Sequence, residues 1–347
     1  SKCQPLNISE IINYTLLRKL KNLWEVSMLK FDDTLDFSKK SIDVFAIGEL
    51  LVDMISTEYD DLNASTYSKY FGGSSANIAM NISRLGANAT IFSCVGKDNL
   101  GDFLINHLKN SQINTEYISR IDYPTSMVLV TKSKNTPIPI FYRGADYNLE
   151  YNSILEEAIS KSKIIHFSCW PISQEKSRNT IEKAIVEARK NNAIIDFDPN
   201  YHEMIWEKGH DGIEYIKNIV SKVDIIKPSE LDAERIFGAD TPENQIAKFI
   251  TLGAKLVIMT LGKDGAIVSD GTEIIKFETL ATEVVDTTGA GDAFWSGFYT
   301  GLSKGNTIKK SLELGFAVSA FKLKFVGAIT PLPSIDEIEK IYKKGAF

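Results

Sequence analysis

The chain has 347 residues, 44% of them hydrophobic, which is enough for one large α/β domain or two smaller ones. Its net charge of −6, without any basic stripe, excludes nucleic acid as a main partner. No apolar run approaches the length of a membrane span, so a spanning helix is excluded as well. Cys3, Cys94 and Cys169 form no CxxC pair and no metal spacing, so reduced thiols and a cytoplasmic setting are expected. His107, His166, His202 and His210 are scattered outside any ligand set and read as structural.

Residues 1–40 read as an N-terminal extension and 41–347 as the main domain. In the extension Ile8, Ile11, Ile12, Leu16, Leu20, Leu23 and Trp24 recur at helical spacing. Asp32, Asp33, Asp36, Lys39 and Lys40 then read as a solvated link. The segment reads as a docking or oligomer helix, a targeting segment, or a dispensable extension. It lacks the compact apolar region of a cleavable signal.

The run 42–47 is a buried strand that ends at Gly48 and leads into Glu49 and Asp53. Asp53 is thus expected near a strand's carboxyl end, where open α/β sheets gather ligand groups. Residues 54–71 are polar and Tyr/Ser-rich, with no helical period. Gly72 and Gly73 then precede a helix carrying Ile78, Ala79, Ile82 and Leu85 and ended by Gly86. Glycines there suit close approach of backbone to a ligand, or a plain helix cap. Asn77 in the first turns can donate to and accept from hydroxyl groups.

A strand at 90–95 and a helix at 102–108 follow. Strands at 126–131 and 138–142 flank the loop Lys132 to Pro137 and read as a hairpin closed by Arg143-Gly144-Ala145-Asp146. This hairpin and the 54–71 segment break the βα alternation. They are expected to pair into a small sheet over the main one, with lid segments at about 53–71 and 122–145. Beyond residue 150, helices near 150–160, 173–191, 211–220, 229–237, 243–252, 307–324 and 334–343 alternate with strands. Those strands lie near 163–168, 193–197, 223–226, 256–260, 265–269 and 273–277. The pattern predicts a mostly parallel sheet covered on both faces.

The stretch Val285-Asp286-Thr287-Thr288-Gly289-Ala290-Gly291-Asp292-Ala293-Phe294 leaves its backbone bare at the start of an apolar helix. Orphan amides and the helix dipole favour an anion there. Asp292, in the first turn, is a candidate general base beside that anion site, or else a capping residue. No Walker loop and no GxGxxG after the first strand is present. Polar groups instead follow three strands, at Phe197-Asp198-Pro199-Asn200, at Lys227-Pro228-Ser229-Glu230-Leu231-Asp232 and at Thr260 to Gly265. Together they can hold a phosphate chain with a well-hydrated magnesium ion, and each alone is also ordinary turn chemistry.

Phe71 to Ala79 with Arg84-Leu85-Gly86, together with Asp286 to Phe294, resembles the two signature motifs of the PfkB/ribokinase family of carbohydrate kinases. The resemblance runs from about residue 42 to 343. Phe141-Tyr142-Arg143, Ala145-Asp146, Phe197 to Asn200 and Trp206 look most like fructokinases and 2-keto-3-deoxygluconate kinases. The resemblance implies a ribokinase-like three-layer α/β/α sandwich with a small β-sheet lid, and ATP-dependent phosphorylation of a sugar primary hydroxyl. It makes Asp292 the base and the amides of Gly289, Ala290 and Gly291 the anion hole. Asp53, Gly72, Gly73, Asn77 and Arg143 match sugar-binding positions, and Asn200, Ser229, Thr260, Gly262 and Gly265 fall around the nucleotide.

The family's Asn-x-x-Glu element reads here as Ser229-Glu230-Leu231-Asp232, which leaves Glu230 or Asp232, acting through water, for Mg2+. Asp286 and Thr288 match residues that hold K+ in some members. Fructose is the first acceptor to expect. 2-Keto-3-deoxygluconate, the keto-deoxy acid of inositol breakdown, ribose and a nucleoside stay open. An acid would want a cation, which Arg143 can supply unless it pairs with Asp146. Outside this class stands a sugar-binding regulator without turnover. A homodimer through the lid is expected from its exposed edges.

Overall fold

The computed structural model describes residues 29–37, 40–61, 63–133 and 138–342. The expected helix within residues 1–24, Cys3, and the tip of the Lys132 to Pro137 loop lie outside these. The strands are β1 (Ile42–Ile47), β2 (Leu51–Tyr59), β3 (Tyr67–Gly72), β4 (Ala89–Gly96), β5 (Ile118–Ile121), β6 (Met127–Lys132), β7 (Ile140–Tyr142), β8 (Ser162–Ser168), β9 (Ile194–Asp198), β10 (Ile225–Ile226), β11 (Leu256–Thr260), β12 (Ala266–Ser269) and β13 (Ile274–Phe277). The helices are α1 (Ser74–Leu85), α2 (Asn99–Asn110), α3 (Ser153–Ser160), α4 (Cys169–Ile172), α5 (Glu175–Lys190), α6 (Gly212–Val220), α7 (Glu230–Phe237), α8 (Pro242–Leu252), α9 (Ala290–Ser303), α10 (Ile308–Lys322) and α11 (Ile335–Tyr342).

Nine strands form one sheet in the order β13-β12-β11-β10-β9-β8-β1-β4-β5. From β5 to β11 the pairs are parallel, and β12 and β13 join antiparallel. The sequence explains this. Val44, Phe45, Ala46 and Ile47 of β1 are all fully buried, as a strand covered on both faces requires. The chain runs from β1 to β4 on one side and returns to β8 on the other. β1 is therefore the switch point, and the crevice beyond its carboxyl end is where such sheets take ligands.

The segments that break the alternation form a second sheet in the order β3-β2-β6-β7. Strand β2 pairs antiparallel with β3 and parallel with β6, and β6 and β7 form the expected hairpin. The three-layer architecture with a small accessory sheet is as the sequence predicts. Two details differ. Asp53 lies inside β2, opposite Tyr70 of β3, because a new strand starts at Leu51. Residues 29–37 are packed rather than merely solvated. Leu29 and Phe31 join a core cluster with Phe298 and Leu302, and the carbonyls of Phe31 and Asp33 accept from Lys309 and Ile308 N–H. Only alternate residues there, such as Asp32, face outward.

Candidate active site

Helix α1 starts without a side-chain cap at Gly73, whose φ of +109° suits glycine. A Cβ there would collide with the Glu49 carbonyl. The cap comes from elsewhere: Glu49 Oε1 accepts the Ser74 N–H at 2.8 Å. Ser74 Oγ then donates to Asp292 Oδ1 at 2.6 Å, and Asn77 Nδ2 donates to Asp292 Oδ2 at 3.0 Å. The first turns of α1 and α9 thus meet, and Asp292 is held by two donors in the crevice. Asp53 lies beside Gly72, where a Cβ would fall 2.5 Å from Asp53 Oδ2.

These carboxyls share one electrostatic feature. Burial pushes Asp292 up to about 6, against the bonds from Ser74 and Asn77; the Asp198 charge adds to the rise and Lys227 opposes it. Burial likewise raises Asp53 to about 6. Glu49 rises to about 7 by burial, opposed by backbone hydrogen bonds and helped by the charges of Asp292 and Asp146. Asn77 Oδ1 and Glu49 Oε2 are buried and have no partner among the described residues. Buried acceptors of that kind mark places where a ligand's donor fits.

Helix α9 also starts without a side-chain cap. Its N-cap Gly289 has φ +75°, and a Cβ would lie 2.7 Å from Ala328. The Ala290 N–H is already bonded to the Thr287 carbonyl at 3.1 Å. Of the three amides expected to form an anion hole, those of Gly289 and Gly291 have no acceptor among the described residues. The sequence gives Lys227 only as the start of a strand-end segment, with no role of its own, yet its Nζ lies 3.4 Å from where a Gly291 Cβ would stand. Lys227 is nearly buried, pairs with Asp198 at 3.0 Å, and Asp198 also takes the Trp295 Nε1–H at 2.7 Å. Its signal in the sequence is place alone: it follows β10 at the carboxyl edge of the sheet.

Arg143 resolves the choice left open by the sequence. Nε and Nη2 donate to Asp146 Oδ2, Nη2 also to the Trp170 carbonyl, and Nη1 to Ser173 Oγ and the Ile205 carbonyl. All five of its N–H groups are used. Asp146 further accepts from Trp170 Nε1 and Ser126 Oγ, so this buried pair fastens the small sheet to the body.

Ser229 and Thr260 form a β-bridge, bringing two strand ends together. Here the structure gives Asp232 a local role as well. Asp232 is the N3 member of a capping box: its Oδ2 takes the Ser229 N–H and Oγ–H, and its Oδ1 takes the Tyr201 N–H. Both oxygens accept hydrogen bonds, Oδ2 at the helix start and Oδ1 from Tyr201, which weighs against Asp232 as the residue that holds Mg2+. Glu230 is exposed and is the carboxylate of this element that faces outward. Gly265 is explained by the fold, since a Cβ there would strike the Phe277 carbonyl of the neighbouring strand. Gly262 opens a 3-10 turn after β11, and Asn200, with φ +32°, is exposed just beyond β9. Among the described residues no group of three or more His, Cys, Asp or Glu is arranged for a metal.

Asp286 and Thr288, the expected K+ positions, are engaged internally. Asp286 Oδ1 accepts from Thr288 N–H and Oγ–H, its Oδ2 accepts from Gly327 N–H, and its main-chain oxygen accepts from Lys322 Nζ. No described helix is long and apolar enough to cross a membrane.

The pfkB family carbohydrate kinase model matches residues 41–335. An ATP-dependent 6-phosphofructokinase of Thermoanaerobacterium thermosaccharolyticum is 63% identical over 316 residues, covering 91% of this chain and 98% of that protein. A 5-dehydro-2-deoxygluconokinase of Clostridium tetani is 30% identical, with 92% of this chain and 96% of that protein covered. The structure of Halothermothrix orenii fructokinase superposes with a TM-score of 0.72 at 43% identity, over 81% of this chain and all of that one. The chain belongs to the pfkB family of carbohydrate kinases.

Proposed function

We propose that the protein transfers the γ-phosphoryl group of ATP to the primary hydroxyl of a ketohexose, with fructose 6-phosphate ahead of fructose. The observation that carries the chemistry is Asp292, held by Ser74 and Asn77 beside the open amides of Gly289 and Gly291. Asp292 takes the hydroxyl proton, and an acid with its pKa raised to about 6 is a stronger base than an ordinary aspartate. The open amides and the Lys227 ammonium receive charge on the transferring group. Asp53, with Asn77 Oδ1 and its unfilled acceptor capacity, suits sugar hydroxyls. The small sheet closes over the sugar and keeps water from the phosphoryl group. Mg2+ neutralises the phosphate chain, and Glu230 would hold it through water.

The sequence alone ranks unphosphorylated fructose first. Identity of 63% over nearly the whole length of a 6-phosphofructokinase supports moving fructose 6-phosphate ahead of it. The full use of Arg143 weighs against a keto-deoxy acid, which would want a free cation. Exposed Tyr59, Tyr70, Ile140 and Tyr142 on the small sheet support pairing of two copies through it. Cys94 and Cys169, free and buried, fit a reducing cytoplasm.

The test is ADP release with fructose 6-phosphate, fructose, ribose, 2-keto-3-deoxygluconate and 5-dehydro-2-deoxygluconate. A site built around the phosphate prefers fructose 6-phosphate to fructose by roughly 10²–10⁴-fold in kcat/KM. A higher kcat/KM for any other acceptor overturns the order. Sugar binding without ADP release for any acceptor overturns the enzyme.

A further inference from the structure

Lys322 ends α10 and is fully buried. A buried ammonium is costly unless it is paired or put to use. Its one hydrogen-bond acceptor among the described residues is a neutral group, the Asp286 carbonyl, at 2.7 Å. Its position is informative. Asp286 opens the loop that leads through Thr288 to the anion hole at Gly289 and Gly291. The last turn of α10 braces that loop along its length: the Leu323 carbonyl takes Val285 N–H at 2.7 Å, and Ser319 Oγ donates to the Ala290 carbonyl at 3.0 Å. The charge also sits at the negative end of α10, where a cation is favoured.

An ammonium resembles a potassium ion in size and charge, and both bind carbonyl oxygens. Asp286 and Thr288 do not fit a potassium ion in this arrangement. The Asp286 carbonyl already holds an ammonium, its Oδ1 accepts twice from Thr288, and its Oδ2 accepts from Gly327.

We infer that Lys322 is a built-in monovalent cation for the anion hole, replacing an exchangeable ion at this loop. It is a positioning residue, acting through the Asp286 carbonyl and the turn that presents the amides. Phosphoryl transfer by this chain is then independent of potassium. The inference rests on the kinase reading, and the experiment separates the two.

Initial rates with the best acceptor are measured in potassium, sodium and tetramethylammonium chloride at one ionic strength. Absence of turnover in every salt and with every acceptor sinks the kinase reading and this inference with it. Turnover that rises several-fold in potassium alone overturns the inference and leaves the kinase intact. Equal rates in the three salts support it. Lys322→Ala opens room for an ion and Lys322→Met fills the space without charge. Both are expected to lose roughly 10²-fold in kcat, the size of one anion-hole donor. Potassium or ammonium, and not tetramethylammonium, should restore much of the loss in Lys322→Ala and little in Lys322→Met. The second readout is melting temperature in the same salts: a potassium-specific rise in Lys322→Ala, absent from the wild type, supports an ion in the vacated place. Loss of activity in Lys322→Ala without any cation selectivity in rate or melting overturns it. If neither variant folds, the wild-type salt series decides.

Discussion

Helices α7 and α9 each carry an aspartate at the third residue of the first turn, and the two aspartates meet opposite fates. In α7 the N-cap is Ser229, and Asp232 folds back onto it in a closed capping box. In α9 the N-cap is Gly289, which offers no side chain, so Asp292 has nothing local to bind. It reaches instead to Ser74 and Asn77, which lie 218 and 215 residues earlier in the chain. One helix start is sealed for stability. The other is left open, and its amides and its acid become available for chemistry. The residue at the N-cap decides which, and a description by motif spacing alone treats both as ligand sites.

The largest expected effect breaks the open side. Asp292→Asn keeps one acceptor oxygen for Ser74, pairs with Asn77 only through an amide flip that presents Asn77 Oδ1, and removes the base. Turnover should drop roughly 10²–10⁴-fold with the melting temperature and sugar binding kept. In the wild type, turnover should fall as pH drops through about 6, because the protonated acid cannot accept the substrate proton. Near-normal turnover of the variant would remove Asp292 from the mechanism and with it the contrast between the helices.

Installing a cap on α9 is the next largest test. Gly289→Ser puts a side chain at φ +75°, against Ala328, and gives the helix a local acceptor. The backbone strain alone should cost roughly 1–3 kcal/mol of stability. The displaced amides should lower kcat by about 10²-fold. Denaturant midpoints and steady-state rates measure the two separately. Unchanged kcat in a folded variant would mean that the open start is only a packing feature.

Much of this was legible in the sequence. The apolar runs at 42–47 and 193–197 announce strands buried on both faces, and the glycines at the starts of α1 and α9 announce the two open helix starts. What was not legible depends on contacts across the chain or on ambiguity in a local pattern. Strand β5 is four residues long with Ser119 and Arg120 exposed, so it carries no clear period. Asp53 belongs to β2 because that strand pairs with β3 and β6, which no spacing near Asp53 records. Lys227 comes up to Gly291, and Lys322 to the Asp286 carbonyl, from the ends of distant elements. Asp232 was readable, since Ser-x-x-acid ahead of an apolar helix is itself a capping signature. The same letters serve as a metal-side motif, and only the bonds to Tyr201 and Ser229 decide between them.

Helix α1 extends the comparison, since its cap is borrowed. Glu49 supplies Oε1 to the Ser74 N–H, and burial raises its pKa from 4.5 to about 7. The folded state therefore holds a proton that the unfolded state releases. The stability tied to that proton is full below pH 4.5 and is lost as pH rises through about 7. Glu49→Gln keeps an acceptor for Ser74 and cannot charge. It should stabilise the fold above pH 7 by about 1–3 kcal/mol, with no gain below pH 4.5. Denaturant midpoints across this range report it. A gain of equal size at both ends would trace to packing, and Glu49 would then be no more than a neutral cap.

The smallest expected effect falls on the sealed side, and it sharpens the contrast most. Asp232→Asn keeps the shape of the capping box but gives its amide nitrogen no lone pair for the donors at Ser229 or Tyr201. The loss should be about 1 kcal/mol of stability, the usual size of a helix cap. Turnover at saturating ATP and Mg2+ should stay within about twofold, because that cost falls on the stability of the fold rather than on the barrier. Titration of Mg2+ at fixed ATP is the discriminating measurement. An unchanged midpoint keeps Asp232 as a structural cap and leaves Glu230 as the outward carboxylate of this element. A midpoint raised tenfold or more, with stability intact, would mean that the box opens when nucleotide binds and that Asp232 turns toward the metal. The two aspartates would then differ in timing rather than in kind.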